Sequence, residues 1–413
     1  MNHNHSDRKS SALTTVVVCA LVFICFSFFW LYNFQSDVLA VAQHRLSGGQ
    51  TSYNRLIGSL LITLILMIIQ HGVYGIVKLS RRTHALTYFP SFLILALLST
   101  LDSNGVQNFS VGHWGWISLL LLVIWGLAVW VSRKILPFEN DHKVNTGIFS
   151  RRLWVNMIQM ALMMLMVAWV GNTNAVYHFR THAEVALMRG DVDEALRVGI
   201  RSHETDVNLT MLRLYALSQR GMIGDSLFTY PVAGTSADML PLHESRSRLL
   251  IYPKDSMWAH FGDYVPTRTM TVGQYFDSLA VDTTSTGAYI DYRLTGMLID
   301  RKLEAFASAL PNYYPLVPDS LPRHYREALV LYQNVASADT TQAVSGVTQA
   351  LSGVTQAVSD VTQALSEYKD SVYANQMRHF QELEEAYPSA KERKLNVNEH
   401  FRQTYWYYYF YSK

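Results

Sequence analysis

The 413-residue chain is 49% hydrophobic and only 16% charged, against roughly 25% charged in an average soluble domain. Residues 1–170 hold 12 Lys/Arg and 5 Asp/Glu and residues 171–413 hold 22 and 27, so a basic, apolar front part precedes a mildly acidic back part. Neither part carries the clustered basic face that a phosphate backbone requires, which argues against nucleic acid as a partner. Both cysteines, Cys19 and Cys25, fall in one apolar run, so the back part has no disulfide framework.

The chain opens Met-Asn-His-Asn-His. A free amine with histidine third, here His3 followed by His5, offers a copper or nickel chelate, but nothing else there supplies ligands, and a short unstructured tail over residues 1–11 is the simpler reading. Five runs free of Lys, Arg, Asp and Glu come next: Ala12–Tyr32, Leu56–Val77, Ala85–Leu101, Trp114–Val131 and Leu153–Val170. Each approaches the ~20 residues that a helix needs to cross ~30 Å of hydrocarbon, and five transmembrane helices are expected over residues 12–170. Ala85–Leu101 is short and carries Pro90, which a first helical turn tolerates. The first run is too long for a signal-peptide core and ends in Phe28, Phe29, Trp30 and Tyr32 instead of small residues, so it is expected to be retained.

Basic residues set an expected orientation. With a cytoplasmic N-terminus the inner segments hold Arg8, Lys9, Lys78, Arg81, Arg82, Arg133, Lys134, Lys143, Arg151 and Arg152, whereas the outer loops hold only Arg45 and Arg55. This asymmetry and five crossings place residues 171–413 outside the cytoplasm, in the periplasm of a Gram-negative cell.

After Gly171 the apolar spacing becomes that of amphipathic helices. Residues 177–202 read as a helical hairpin, with Gly190 at the turn and Asp191 as N-cap of the second helix. Arg220-Gly221 repeats Arg189-Gly190 about 31 residues on, which suggests a helical repeat of tetratricopeptide (TPR) type. Further helices are expected at Tyr289–Ile299, Lys302–Ala309 and Pro322–Val335, with residues 229–288 mostly loop. Residues 342–369 contain four copies of a heptad, QAVSGVT to QALSEYK, with Val and Leu three and four apart. The lack of flanking charges favours a tandem duplication over a coiled-coil strip. Seven consecutive aromatics, Tyr405–Tyr411, cover every face of a helix, so packing must bury some of them; docking on a membrane or partner is the sharper alternative.

Candidate chemistry is sparse. Gln70 and His71 in the second apolar run, and Asn156 and Gln159 in the fifth, are polar groups at membrane depth, where they mark a pathway or bridge helices. Asp37 and Asp102 come after the first and third runs on the outer side, where membrane glycosyltransferases using lipid-linked sugars place a carboxylate. Asp37, Asp102 and His71 are therefore the catalytic candidates of an enzyme or transporter reading, with a solvated loop aspartate as the plainer one. Asp191 and Asp193 are explained by a helix N-terminus without a metal. No nucleophile elbow, phosphate loop, zinc spacing or dinucleotide fingerprint occurs, and no cofactor is expected.

Through HAEVALMRGDVDEAL, PRHYREALVLYQ and the closing TYWYYYFY, the chain resembles an uncharacterised bacterial family of multi-pass membrane proteins with helical-repeat C-termini. The resemblance implies a cell-envelope location and supplies no catalytic residues. The expectation is an all-α protein: five membrane helices carrying a TPR-like scaffold (residues 171–413) that meets periplasmic protein partners. An enzyme or transporter acting on a lipid-linked or envelope substrate is the alternative.

Overall fold

The computed structural model describes residues 3–79, 81–100, 114–135, 150–262, 264–343, 363–365 and 367–412, with side chains from residue 13. Among the described residues every regular element is a helix. The chain divides into two compact units, Met1–Asn174 and Ala175–Lys413.

The N-terminal unit contains α1 (His3–Trp30), a π-helical turn (Leu31–Gln35), α2 (Ser36–Leu46), α3 (Arg55–Val77), a 3-10 segment (Arg81–Tyr88), α4 (Phe89–Ser99), α5 (Trp114–Ile135) and α6 (Arg151–Val170). Four stretches are long and apolar enough to cross a membrane: Leu13–Leu46, Arg55–Val77, Trp114–Lys134 and Arg151–Val170. Two expectations need correction. The first helix does not stop at Tyr32 but runs on to Leu46 through the π turn, where Arg55 Nε donates to the Tyr32 carbonyl at 2.6 Å and its guanidinium lies over the Tyr32 ring. The third expected span, Ala85–Leu101, is not one α-helix; α4 has only 11 residues, with 3-10 backbone before it.

Pro90 explains the break. It has no N–H for the carbonyl four residues back, and its ring crowds that oxygen. The oxygen belongs to Leu86, and it is taken instead by the Trp125 indole N–H of α5 at 2.8 Å. The tighter 3-10 turn rises about 2.0 Å per residue, so residues 84–99 still span roughly 27 Å. Their ends register with opposite ends of the neighbouring helices. At one end Thr83 bonds Ser132 near the close of α5, Gln70 of α3 donates to Thr87, and Asn156 near the start of α6 accepts from the Ala85 N–H. At the other, Ser99 accepts from Trp30 Nε1 through its hydroxyl and from the Asn172 N–H through its carbonyl. The short segment thus runs the length of α6 beside it.

In this unit polar groups share the inside with an apolar cluster while the outward faces of the helices are apolar, the inverse of a water-facing surface. The buried residues of α3 are Ser59, Thr63, Leu66 and Gln70, while Leu56, Ile57, Leu60, Leu61, Leu64, Ile65 and Ile68 are exposed. In α6 the buried seam is Leu153, Asn156, Met160, Met163, Val167 and Val170, alternating three and four apart, and Ile158, Leu162 and Leu165 face outward. That inversion is what a hydrocarbon solvent selects, because lipid rewards no burial of leucine whereas interhelical hydrogen bonds still need shelter. At one end the Trp114 and Trp169 rings lie 6.2 Å apart and Trp116 is exposed nearby in sequence, while exposed Trp130 and Trp154 lie ~21 and ~22 Å along their helices from Trp116 and Trp169.

The C-terminal unit holds α7 (Ala175–Met188), α8 (Val192–Arg197), α9 (Val207–Gln219), α10 (Ile223–Ser226), α11 (Lys254–Ala259), α12 (Val272–Val281), α13 (Ala288–Ile299), α14 (Leu303–Ala309), α15 (Arg323–Ala343), α16 (Ser371–Ala386), α17 (Ala390–Phe401) and α18 (Tyr405–Tyr411). The Gly190 and Gly221 turns are the same device. Both glycines have positive φ, and in each the next N–H reaches five residues back, Asp191 to Ala186 and Met222 to Leu217. A third copy closes α13, where Lys302 N–H bonds the Met297 carbonyl, but here Arg301 occupies the left-handed position at φ 57. The three hairpins are unequal: the second helices have 6, 4 and 7 residues, and residues 230–287 separate the last two pairs. An even tetratricopeptide-like stack is not what the recurrence encodes; it encodes a repeated helix cap. Most of the heptad run lies outside the described residues.

Candidate functional site

The sequence candidates are not brought together. Asp37 lies half-buried in the first turn of α2, on a continuous helix instead of a loop. His71 is exposed on α3, about 24 Å of helix from Arg55, the residue that touches the Tyr32 level from which α2 departs. Asp102 lies outside the described residues, as do the side chains of His3 and His5. Gln70 and Asn156 are buried and serve as bridges: Gln70 to Thr87, and Asn156 to the Ala85 N–H and the Arg152 carbonyl. Asp191 caps α8 by accepting from the Glu194 N–H at 3.0 Å, and Asp193 pairs with Arg220 at 2.6 Å. Among the described residues no group of three His, Cys, Asp or Glu is placed to hold a metal.

The structure instead singles out acidic residues that sequence reasoning missed. Glu184 of α7 is fully buried, and its Oε1 accepts three consecutive backbone N–H groups, Leu250, Ile251 and Tyr252, at 2.5, 2.6 and 2.9 Å. Burial raises its pKa above the ordinary glutamate value, with the three N–H donors and the Arg180 charge opposing. Glu327 of α15 is equally buried and accepts from Arg323 Nε, His324 Nδ1 and the Tyr405 N–H at 2.9, 2.9 and 2.7 Å; its own carbonyl accepts from Trp406 Nε1. Asp370 takes Arg326, the Tyr368 hydroxyl and two N–H groups of α16. Asp238 works the same way on a loop: burial pushes its pKa up, but bonds from Arg246 and Thr235 outweigh this and hold it down at about 2. Glu184, Glu327 and Asp370 each fix chain segments far apart in sequence, whereas Asp238 ties a local loop.

The aromatic run is organised by the same contacts. Thr404 caps α18, Glu327 meets its first N–H, and Tyr405, Trp406 and Tyr408 are buried. At its other end Arg301 donates to the carbonyls of Tyr408, Tyr409 and Ser412 and stacks on the Tyr408 ring at 5.0 Å. The left-handed backbone at Arg301 directs a helix-capping guanidinium. A signal for Glu184 was present in the sequence: an acid between Ala183 and Val185 on an apolar face has no solvent to meet. Arg301 left none, because a turn of this kind normally shows a glycine.

The C-terminal unit contains an open cleft of about 860 Å³. One wall is the 203–205 turn and the 228–233 segment. The other is one face of α17 and its cap, Ala390, Lys394, Asn398 and Arg402, spaced four apart, together with Tyr407, Tyr408, Phe410 and Tyr411 of α18. Arg402 ties the walls by donating to the Ser202 carbonyl and to His203 Nε2, each at 3.2 Å. Tyr230, on the first wall, lies under the Arg213 guanidinium; Arg213 is buried, reaches the Val198 and Gly199 carbonyls, and is lowered to about 10 by desolvation.

Residues 257–412 match the model of a family of unknown function (DUF6057). The matched stretch contains Glu327, Asp370, Arg301 and the α17–α18 wall of the cleft, and it excludes Glu184, Arg213 and the 203–205 turn. No curated protein and no solved structure matches the chain.

Proposed function

We propose that the chain is a membrane-anchored binding protein that does no chemistry: the N-terminal unit sits in the bilayer of a bacterial envelope and the C-terminal unit offers its cleft to partners on the periplasmic side. The observation that carries this reading is the use made of the buried acids. Glu184, Glu327, Asp370 and Asp238 are each engaged by backbone or arginine donors within the folded unit, while the cleft is lined by aromatic, amide and cationic side chains suited to holding a ligand. The inverted burial of α3 and α6 and the two tryptophan levels support lipid around the first unit. The run of Thr83–Ser99 alongside α6 supports five passages, and ten basic residues against two support a cytoplasmic N-terminus.

A reporter active only outside the cytoplasm, fused after residue 180, is expected to be active, and one fused within residues 134–150 silent; the reverse pattern overturns the orientation. For the binding role, Asp37→Asn and His71→Phe are expected to complement a deletion strain fully at unchanged protein level. A combined Lys394→Gln, Asn398→Ala, Tyr407→Ala variant is expected not to. Failure of either single variant with normal protein level returns the case to an enzyme.

A further inference from the structure

We infer that the cleft binds an acidic saccharide, a short sugar chain bearing carboxylates. This inference rests on the reading of the C-terminal unit as a binding module and adds the ligand's chemistry. The first ground is charge. Residues 171–413 carry 22 Lys/Arg against 27 Asp/Glu, yet the cleft reverses that sign, with Lys394 and Arg402 against Glu204. A positive concavity in an acidic unit concentrates anions. Lys394 and Arg402 stand eight residues apart on one helical face, about 12 Å, which suits two charges on successive or alternate units of a polymer more than one compact anion.

The second ground is the shape of the other groups. Tyr407, Phe410 and Tyr411 line the cleft with partly exposed rings, against which the C–H faces of a pyranose can pack. The Asn398 amide projects between the two cations, a planar donor–acceptor pair that matches vicinal hydroxyls, and the Arg402 fork keeps N–H donors beyond the two it spends on Ser202 and His203. A peptide is served less well. Docking by strand addition needs a free sheet edge, and the described residues contain no strand; docking as a helix needs an apolar groove, and this lining alternates rings with polar heads. The volume of about 860 Å³ fits three or four sugar units.

The test is calorimetric titration of the purified full chain in mild detergent with three probes: a tetragalacturonate, a neutral tetrasaccharide of similar length, and a glutamate-rich octapeptide. The expected result is salt-sensitive binding of the tetragalacturonate, with the neutral sugar and the peptide each at least ten-fold weaker. Lys394→Gln and Asn398→Ala, both on an exposed helix face with little structural work, are expected to weaken binding five-fold or more while leaving the thermal midpoint unchanged. Equal binding of the neutral sugar removes the acidic requirement and overturns the proposal. Preferential binding of the peptide also overturns it but leaves the binding-module reading standing. Absence of binding by every probe at millimolar concentration, with a native helical spectrum, overturns the saccharide assignment outright.

Discussion

The two units of this chain solve burial in opposite ways. In the N-terminal unit hydroxyls and amides share the inside with apolar side chains: Ser59, Thr63, Gln70, Ser91 and Asn156 are buried beside Phe23, Tyr88 and Phe92, while many leucines face out. In the C-terminal unit the inside is a large cluster of Leu, Met, Tyr and Trp, and the polar groups admitted to it include charged residues, Glu184, Arg213, Glu327 and Asp370, that hydrogen-bond to other segments. The contrast shows that burial of a polar group has different uses in the two settings. Neutral amides bridging helices are cheap glue where the solvent offers no competition. A carboxylate taken out of water costs several kcal/mol and has to recover that from the donors around it; Glu184, Glu327 and Asp370 do so while pinning distant segments.

The sharpest way to break this contrast is Glu327→Ala. It leaves the Tyr405 N–H, His324 and Arg323 without their acceptor inside the core, and truncating one side of a buried charged network costs ~3–5 kcal/mol. The expected outcome is loss of cooperative melting of the full chain, with α18 released first. Limited proteolysis should then cleave near residue 404, and a variant that melts as the parent would show that Glu327 organises nothing.

A matched pair of surface substitutions tests the inversion itself. Leu64 in α3 is 57% exposed and Leu395 in α17 is 68% exposed. By exposure alone Leu64→Asp and Leu395→Asp are equivalent. With lipid around the first unit, Leu64→Asp places a charge near mid-bilayer and costs roughly 3 kcal/mol, whereas Leu395→Asp stays within about 0.5 kcal/mol. The measured quantities are the amount of membrane-inserted chain and its thermal midpoint in detergent. Similar behaviour of the two variants would remove the case for a bilayer.

The same physics decides which parts of the molecule were legible in the sequence. Helices driven by unbroken apolar length were visible, as were α13, α15 and the hairpin turn at Gly190, since periodicity and glycine report them directly. Pro90 does lie in the first turn of its helix, as the sequence suggested; what the sequence did not show is that this helix starts only at Phe89, behind 3-10 backbone whose Leu86 carbonyl is served by Trp125. The continuation through Asp37 to Leu46 was hidden because a charge looked like the end of a helix. The even repeat was inferred from two glycine caps, which mark helix ends and carry no information on the length of the next helix. The cleft was not legible at all: its walls are some 200 residues apart in sequence, and only the fold brings His203 to Arg402.

The role of Trp125 sharpens the account of the third span. Trp125→Phe keeps the ring stacked against Phe89 and removes the N–H that serves the Leu86 carbonyl. An unpaired buried acceptor costs ~1–3 kcal/mol. Pro90→Ala restores an N–H to that carbonyl from within the helix, so the double variant is expected to recover most of the loss. Additive losses would instead mean that Pro90 is not why Leu86 needs a distant donor.

The smallest effect is at Arg301, and it separates two terms that oppose each other. A non-glycine residue in the left-handed region costs ~1 kcal/mol relative to glycine, and the Arg301 side chain offsets this by capping the last carbonyls of α18. Arg301→Gly removes both the strain and the cap, and is expected to leave stability within about 0.5 kcal/mol of the parent. Arg301→Ala removes the cap and keeps the strain, so it is expected to fall below the glycine variant by ~1 kcal/mol, a difference that reads the backbone term alone. The capping term is then the gap between glycine variant and parent once that strain is added back. If alanine and glycine melt together, the left-handed conformation is not held in the protein, and Arg301 reaches α18 from an ordinary backbone.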